Sequence, residues 1–205
     1  MAPAPHPRSR FHPRSRLALA TIATLATLAV LSTTSCARRS ARRNPGSSPS
    51  GTATVLAASV IDLSDGSVDS AGDAVTLAVR NSVYSRDLEL RELPHQVIAT
   101  RFPALPEPEQ RLKQLVTYSR EEAFLVLVET RAQYQGTAGA RFRWLVHVRI
   151  SGDRPDVEGP PLVTANDIPV LIPSAGKREK EAVAAAAPAI GGQVASLLDS
   201  LLVEP

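Results

Sequence analysis

Cysteine is nearly missing from this chain: Cys36 is the only one in 205 residues. No internal disulfide can form, and an odd thiol in an oxidising compartment needs an explanation. Acidic residues are absent from the first 61 positions, the first being Asp62. Histidine is scarce, with only His95 and His147 after Cys36, so no metal-ligand spacing is present. Neither a G-x-S-x-G elbow nor a G-x-G-x-x-G loop occurs. Ser174-Ala175-Gly176-Lys177 fails as a phosphate loop, because Leu171 stands where a glycine is required and Arg178 follows the lysine. The sequence therefore predicts no catalytic residue, metal site or cofactor.

What is present begins with a leader. Arg8, Arg10, Arg14 and Arg16 precede fifteen uncharged residues, Leu17 to Leu31, and then Ser and Thr lead to Cys36. A basic head, an apolar segment of this length and a small-residue exit predict a signal peptide over residues 1–35. A permanent membrane span needs roughly 18 or more apolar residues, and the hydroxyl-rich end from Ser32 to Ser35 makes a poor helix end in lipid. The exit, Leu31-Ser-Thr-Thr34-Ser35-Cys36, resembles the lipobox of bacterial lipoprotein precursors, with Thr34 and Ser35 at the two small positions. It departs at Thr33, where that family has leucine. The resemblance implies that Cys36 is acylated on sulfur and becomes the mature N-terminus, which would also consume the lone thiol. Ser35-Cys36-Ala37 fits an ordinary small-x-small cleavage site as well, so release of a soluble chain remains the alternative. Ala37, rather than Asp, after the cysteine favours the outer over the inner membrane under the enteric sorting rule that the resemblance brings.

Net charge divides along the chain. Of 23 basic residues, four lie in the leader and four more are Arg38, Arg39, Arg42 and Arg43. The remaining 15 face all 20 acids, so the body carries about −5. Nucleic acid is thereby excluded as a partner, since the body has no basic excess to pair with phosphate. Residues 36–52 are rich in Arg, Ser, Pro and Gly and are expected to form the lipidated cysteine and a flexible tether. Residues 53–205 are the size of one domain.

Within the body, Thr54–Leu63 predicts a first strand, with Ala57-Ala58 permitting a helix instead, and Ala71–Tyr84 predicts a helix, with Ser70 and Asp73 at capping spacing. Leu88–Ile98 is ambiguous. A helix follows from Glu107 to about Glu122, presenting Leu112, Leu115, Val116 and Ser119. The continuous apolar start of Ala123–Tyr134 predicts a strand buried on both faces. Gly136–Gly139 then turns the chain into Arg141–Ile150, whose alternation predicts the other arm of an antiparallel hairpin. One face carries Phe142, Trp144, Val146, Val148 and Ile150; the other carries Arg141, Arg143, Leu145, His147 and Arg149. Glu129 and Arg131 share a strand face and are expected to pair weakly at the surface. Leu162–Ile172 predicts one or two short edge strands limited by Pro169. Lys177–Val203 predicts a long amphipathic helix.

These elements predict an α+β fold: a small, mainly antiparallel sheet with a long central hairpin, and helices on one face including a long C-terminal one. Their order resembles the periplasmic domain of envelope-assembly lipoproteins, such as the curli-secretion channel subunit and the penicillin-binding-protein activators. The resemblance covers element order from Thr54 to Leu202, so no functional residue carries over. It implies a lipid-anchored accessory or docking factor for an envelope complex, partnered by the membrane through Cys36 and by an envelope protein. Arg141, Arg143 and Arg149 are the candidate partner-binding residues. The alternatives are a lipid or lipopolysaccharide carrier, which needs an apolar cavity between sheet and C-terminal helix, and a secreted hydrolase, which needs convergent polar groups in a pocket.

Overall fold

The computed structural model describes residues 52–173 and 178–203, all within one compact unit spanning Ser47–Pro205. The leader, Cys36, the tether and the Ser174–Lys177 segment lie outside the described residues. The body is α+β, as the patterning predicts. Six strands, β1 (Thr54–Asp62), β2 (Val68–Ser70), β3 (Glu89–Glu92), β4 (Phe124–Ala138), β5 (Arg141–Asp153) and β6 (Leu162–Ile172), form one mixed sheet. Four α-helices accompany them: α1 (Asp73–Tyr84), α2 (His95–Arg101), α3 (Pro108–Val116) and α4 (Glu179–Leu202).

The strand order is β2-β1-β4-β5-β6, with β3 also beside β1. The β4–β5 hairpin and the β5–β6 pair are antiparallel, whereas β1 runs parallel to both β3 and β4. This parallel element was not legible in the hydropathy pattern, and it decides where the helices go. The chain crosses from β1 through α1 to β3 on one side, then back through α2 and α3 to β4 on the other. Crossovers of one hand that move in opposite directions put their helices on opposite faces. The expectation of helices on one face therefore holds for α1 and α4 only; α2 and α3 pack on the other.

Period-two alternation divides the side chains between two cores. Val55, Ala57 and Ile61 of β1, with Phe124, Val126 and Val128 of β4, face α1 and α4. Leu56, Ala58 and Val60, with Leu125 and Leu127, face Ile98, Phe102, Leu112 and Leu115 on the α2–α3 side. Both central strands are thus buried on both faces, which is why they read as apolar runs. Each fully buried Leu, Ile or Val contributes about 1.5–3 kcal/mol by leaving water. Trp144, Val146, Val148 and Ile150 of β5 face α4, matching the predicted alternation. α4 is long and apolar enough to cross a membrane, but half of its apolar window is buried inside the fold, as befits a core helix.

Several boundaries differ. Ser70 ends β2 instead of capping α1, whose N-cap is Gly72 at a positive φ of 92°. Leu88–Ile98 splits at Pro94 into the whole of β3 and the start of α2. α3 stops at Val116, short of Glu122. β4 continues through an irregularity between Tyr134 and Gly136, so the hairpin turn moves to Gly139-Ala140. β6 is one strand of 11 residues with Pro169 inside it, at the edge where a missing N–H is tolerated.

Candidate functional site

On the α2–α3 side the helices reach β1, β2 and β4; the same face of β5 and β6 has no helix over it among the described residues. Strand register lines the side chains of this face into rows. Asp62, Arg131, His147 and Asp167 succeed one another across β1, β4, β5 and β6. The next row is Val60, Glu129, Arg149 and Ala165. Apart from Val60, which is buried in the α2–α3 core, these two rows floor an open groove of about 510 Å³, with Pro108 of α3 as one wall.

A buried charge network closes the α3 side of the groove. The side chains of Arg111 and Glu129 are 5% and 6% exposed. Arg111 Nη1 donates to Glu129 Oε1 at 3.1 Å and to Asp62 Oδ2 at 3.0 Å, Nη2 donates to Asp62 Oδ1 at 2.7 Å, and Nε donates to the Leu105 carbonyl at 2.8 Å. Burial opposes the Arg111 charge, but the carboxylates of Asp62 and Glu129 outweigh it and hold the guanidinium protonated. Burial pushes the Glu129 carboxyl above its ordinary pKa, against the pull of Arg111 and Arg149. Glu129 Oε2 and Arg149 Nε face each other at 3.9 Å, both buried and neither hydrogen-bonded. The expected Glu129–Arg131 surface pair is therefore replaced: Glu129 is a buried carboxylate whose partner comes from α3. Removing water from two charges costs several kcal/mol each, and only a near-saturated set of hydrogen bonds offsets that. The signal for Arg111 was its spacing, since Arg111, Leu112 and Leu115 share one helical stripe.

His147 stands beside this network. Its Nδ1 lies 2.7 Å from Asp167 Oδ1 and its Nε2 3.3 Å from Gln133 Oε1. His95 pairs with Asp69 at 2.5 Å on another surface. Neither histidine contacts a serine, threonine or cysteine side chain among the described hydrogen bonds, so the groove holds a carboxylate of raised pKa without a nucleophile bonded to a base. The interface where a lipid carrier would need its cavity, between sheet and α4, is filled by Val183, Ile190, Val194, Leu197 and Leu198, each buried.

The candidate arginines separate into two places on one face. Arg141 and Arg143 are exposed on the distal part of the hairpin, which extends beyond β1: pairing of β1 with β4 ends at Arg131. Arg149 lies six residues from Arg143, about 20 Å along the strand, in the groove beside Glu129 and 40% exposed. No ion pair of Arg131, Arg141 or Arg143 occurs among the described residues. Arg111 meets two carboxylates with one charge, so the face as a whole sets Arg111, Arg131, Arg141, Arg143 and Arg149 against Asp62, Glu129, Asp153 and Asp167, a margin of one positive charge. The excess sits at the distal end of the hairpin, at Arg141 and Arg143.

No family model matches the chain, and no curated protein does. Among solved structures the fold is similar to the PelC dodecamer from Paraburkholderia phytofirmans, with 11% identity and a TM-score of 0.40 over 76% of this chain and 90% of that one. It is also similar to lipoprotein GNA1162 from Neisseria meningitidis, at 9% identity and a TM-score of 0.37 over 74% and 99%. A third likeness is to the rare lipoprotein B from Shewanella oneidensis, at 13% identity and a TM-score of 0.30 over 72% and 98%. Two of these three proteins are named as lipoproteins. Likeness at this level assigns the chain to none of their families.

Proposed function

We propose that the chain is a lipid-anchored envelope protein whose single α+β body docks an acidic partner through the bare face of β5 and β6. The observation that carries the docking surface is the pair of exposed arginines at the distal end of that face, Arg141 and Arg143, which have no ion pair among the described residues, in a body that is otherwise acidic. Anchoring rests on the leader and on Cys36, whose acylation gives the two-chain attachment that stable membrane residence needs. In this reading Cys36 holds the body at the membrane through the Arg-rich tether, facing the periplasm and on the outer membrane. The role is accessory: the body brings a partner to an envelope complex and performs no chemistry of its own.

Charge on such a face governs encounter and specificity more than total affinity. The test is a photo-crosslinking amino acid placed at residue 145 of the full, membrane-inserted chain, with and without Arg141, Arg143 and Arg149 changed together to Glu. A specific crosslinked band that is lost in the triple variant supports the reading. A band recovered undiminished from the triple variant rejects the arginine face.

A further inference from the structure

From Thr130 to Gly152 the chain holds no acidic residue. This stretch includes the distal part of the β4–β5 hairpin. β4 runs seven residues past Arg131, where its pairing with β1 ends, and the chain turns at Gly139-Ala140. The end of β6 that pairs with this part, Ile168 to Ile172, is uncharged. Along the paired strands the nearest acids, Asp62 and Asp167, stand level with Arg131 and His147. That row is about 13 Å from Arg143.

The two faces of this free end present different groups. One carries Arg141 and Arg143, both exposed, with Leu171 beside Arg143 and 48% exposed. The other carries Tyr134, 49% exposed, whose ring lies 6.3 Å from that of Phe142 and 5.4 Å from that of Trp144. The turn itself, Gly136 to Ala140, has no charge and no side chain larger than threonine. Such an end enters a lipid headgroup layer without stripping water from a charge. Its arginines reach phosphates, and its tyrosine has the amphipathic ring that settles at a membrane–water boundary.

We infer that the β4–β5 tip rests on the anionic headgroup surface of the membrane that anchors the chain, with Arg141 and Arg143 against lipid phosphates and Tyr134 and Leu171 at the interface. This rests on the proposed lipid anchor and names the acidic partner of the distal arginines; the groove at His147 and Arg149 stays open to a protein. Reach and strength select the bilayer over an acidic protein taken from solution. Residues 36–52 form a tether of 17 residues, spanning about 23 Å as a flexible chain and about 56 Å fully extended. The tether joins the body at the start of β1, and from the level of Val55 and Phe124 β4 runs about 46 Å to Ala138. The tip therefore reaches the bilayer that holds Cys36. One arginine beside an anionic surface strengthens binding about fivefold, and two about 25-fold. That is too little to capture a partner from solution, and enough for a surface that a tether holds at millimolar effective concentration.

The test uses the mature chain coupled through its Cys36 thiol to a maleimide lipid, so that the result does not depend on acylation in the cell. It is placed on nanodiscs of phosphatidylcholine with about 30% phosphatidylglycerol and a trace of lipid bearing a nitroxide headgroup, and amide signals are followed by NMR. Expected is broadening of Thr137 to Arg143 several times stronger than that of Val157 to Gly159, in the β5–β6 loop at the other end of the hairpin. The difference should vanish on phosphatidylcholine alone and in the double variant Arg141→Glu, Arg143→Glu. Equal broadening at both ends, or a difference that survives either change, overturns the inference. If the tip shows no lipid contact while the crosslinked protein from position 145 is still lost on changing the arginines, they serve a protein and the docking reading stands without this inference. With neither lipid contact nor crosslink, both fall.

Discussion

Changing Arg111 to Met tests the buried charge network that positions α3 against the sheet. In the native chain Arg111 donates to Asp62, to Glu129 and to the Leu105 carbonyl. Methionine fills similar volume but leaves Glu129 in a site only 6% exposed, with Arg149 at 3.9 Å as its remaining cation. Breaking a buried pair by removing one partner costs about 3–5 kcal/mol. Asp62 adds little, because it is 38% exposed and water can take over. For a body of this size each kcal/mol moves Tm by about 2–4 °C, so a fall of roughly 6–20 °C is expected. Replacing both partners, Arg111→Met with Glu129→Leu, removes the orphaned charge and should recover most of the loss or exceed wild type.

The pH dependence gives this prediction a second arm. Burial holds the Glu129 pKa above its ordinary value. A carboxyl with a raised folded pKa contributes stability that is present below its unfolded pKa and is lost as pH rises through the folded pKa. Removing Arg111 takes away a cation that favours the ionised form, raising that pKa further. The penalty of Arg111→Met should therefore be largest at neutral pH and shrink on acidification. Urea unfolding of the wild type, both single variants and the double at two pH values measures every term. A single-variant cost below about 1 kcal/mol, or a double variant no more stable than Arg111→Met, would refute the account of the network.

Further predictions concern the scaffold. Glu122 accepts from Arg91 Nε and from the Arg120 backbone N–H, and Arg91 above all holds its pKa down to about 2. A depressed carboxyl contributes stability above its unfolded pKa and loses it as pH falls toward the folded value. Glu122→Gln should thus cost about 1–2 kcal/mol at neutral pH, a range reduced because Arg91 is partly exposed, and almost nothing near pH 2; equal costs at both pH values would contradict this. Gly152 of β5 sits under α4, where an added Cβ would come within 2.7 Å of Leu197 Cδ2 and 2.9 Å of Leu201 Cδ1. Gly152→Val should lower stability by about 1–3 kcal/mol through overpacking, and an unchanged denaturation midpoint would show that α4 yields there.

Patterns carried by one element were legible in the sequence, and patterns shared between distant elements were not. The apolar run of β4 and the alternation of β5 announced the hairpin, because period-two burial is written residue by residue. The stripe through Val183, Ile190, Val194 and Leu198 announced α4 in the same way. The parallel pairing of β1 with β3 and β4 depends on crossovers, and no local pattern records it. Leu88–Ile98 was ambiguous because β3 has four residues and owes its strand state to β1, while Pro94 admits a helix directly after. The candidate site shows the same division. Arg141, Arg143 and Arg149 were found by alternation, and they do share a face, but only Arg149 lies in the groove. Glu129 was assigned to Arg131 by strand spacing, although a helix 18 residues upstream brings the cation that meets it. A charged residue on a short helix reads as solvated until the packing partner of its stripe is known.

The measurement that bears most directly on a lipid-anchored docking protein is the mass of the mature N-terminal peptide from bacterial membranes, with a Cys36→Ala chain alongside. The account predicts a chain beginning at Cys36 with a diacylglyceryl group on its sulfur, and loss of membrane association in the alanine variant. An unmodified chain beginning at Arg38, or membrane association that persists in Cys36→Ala, would contradict it.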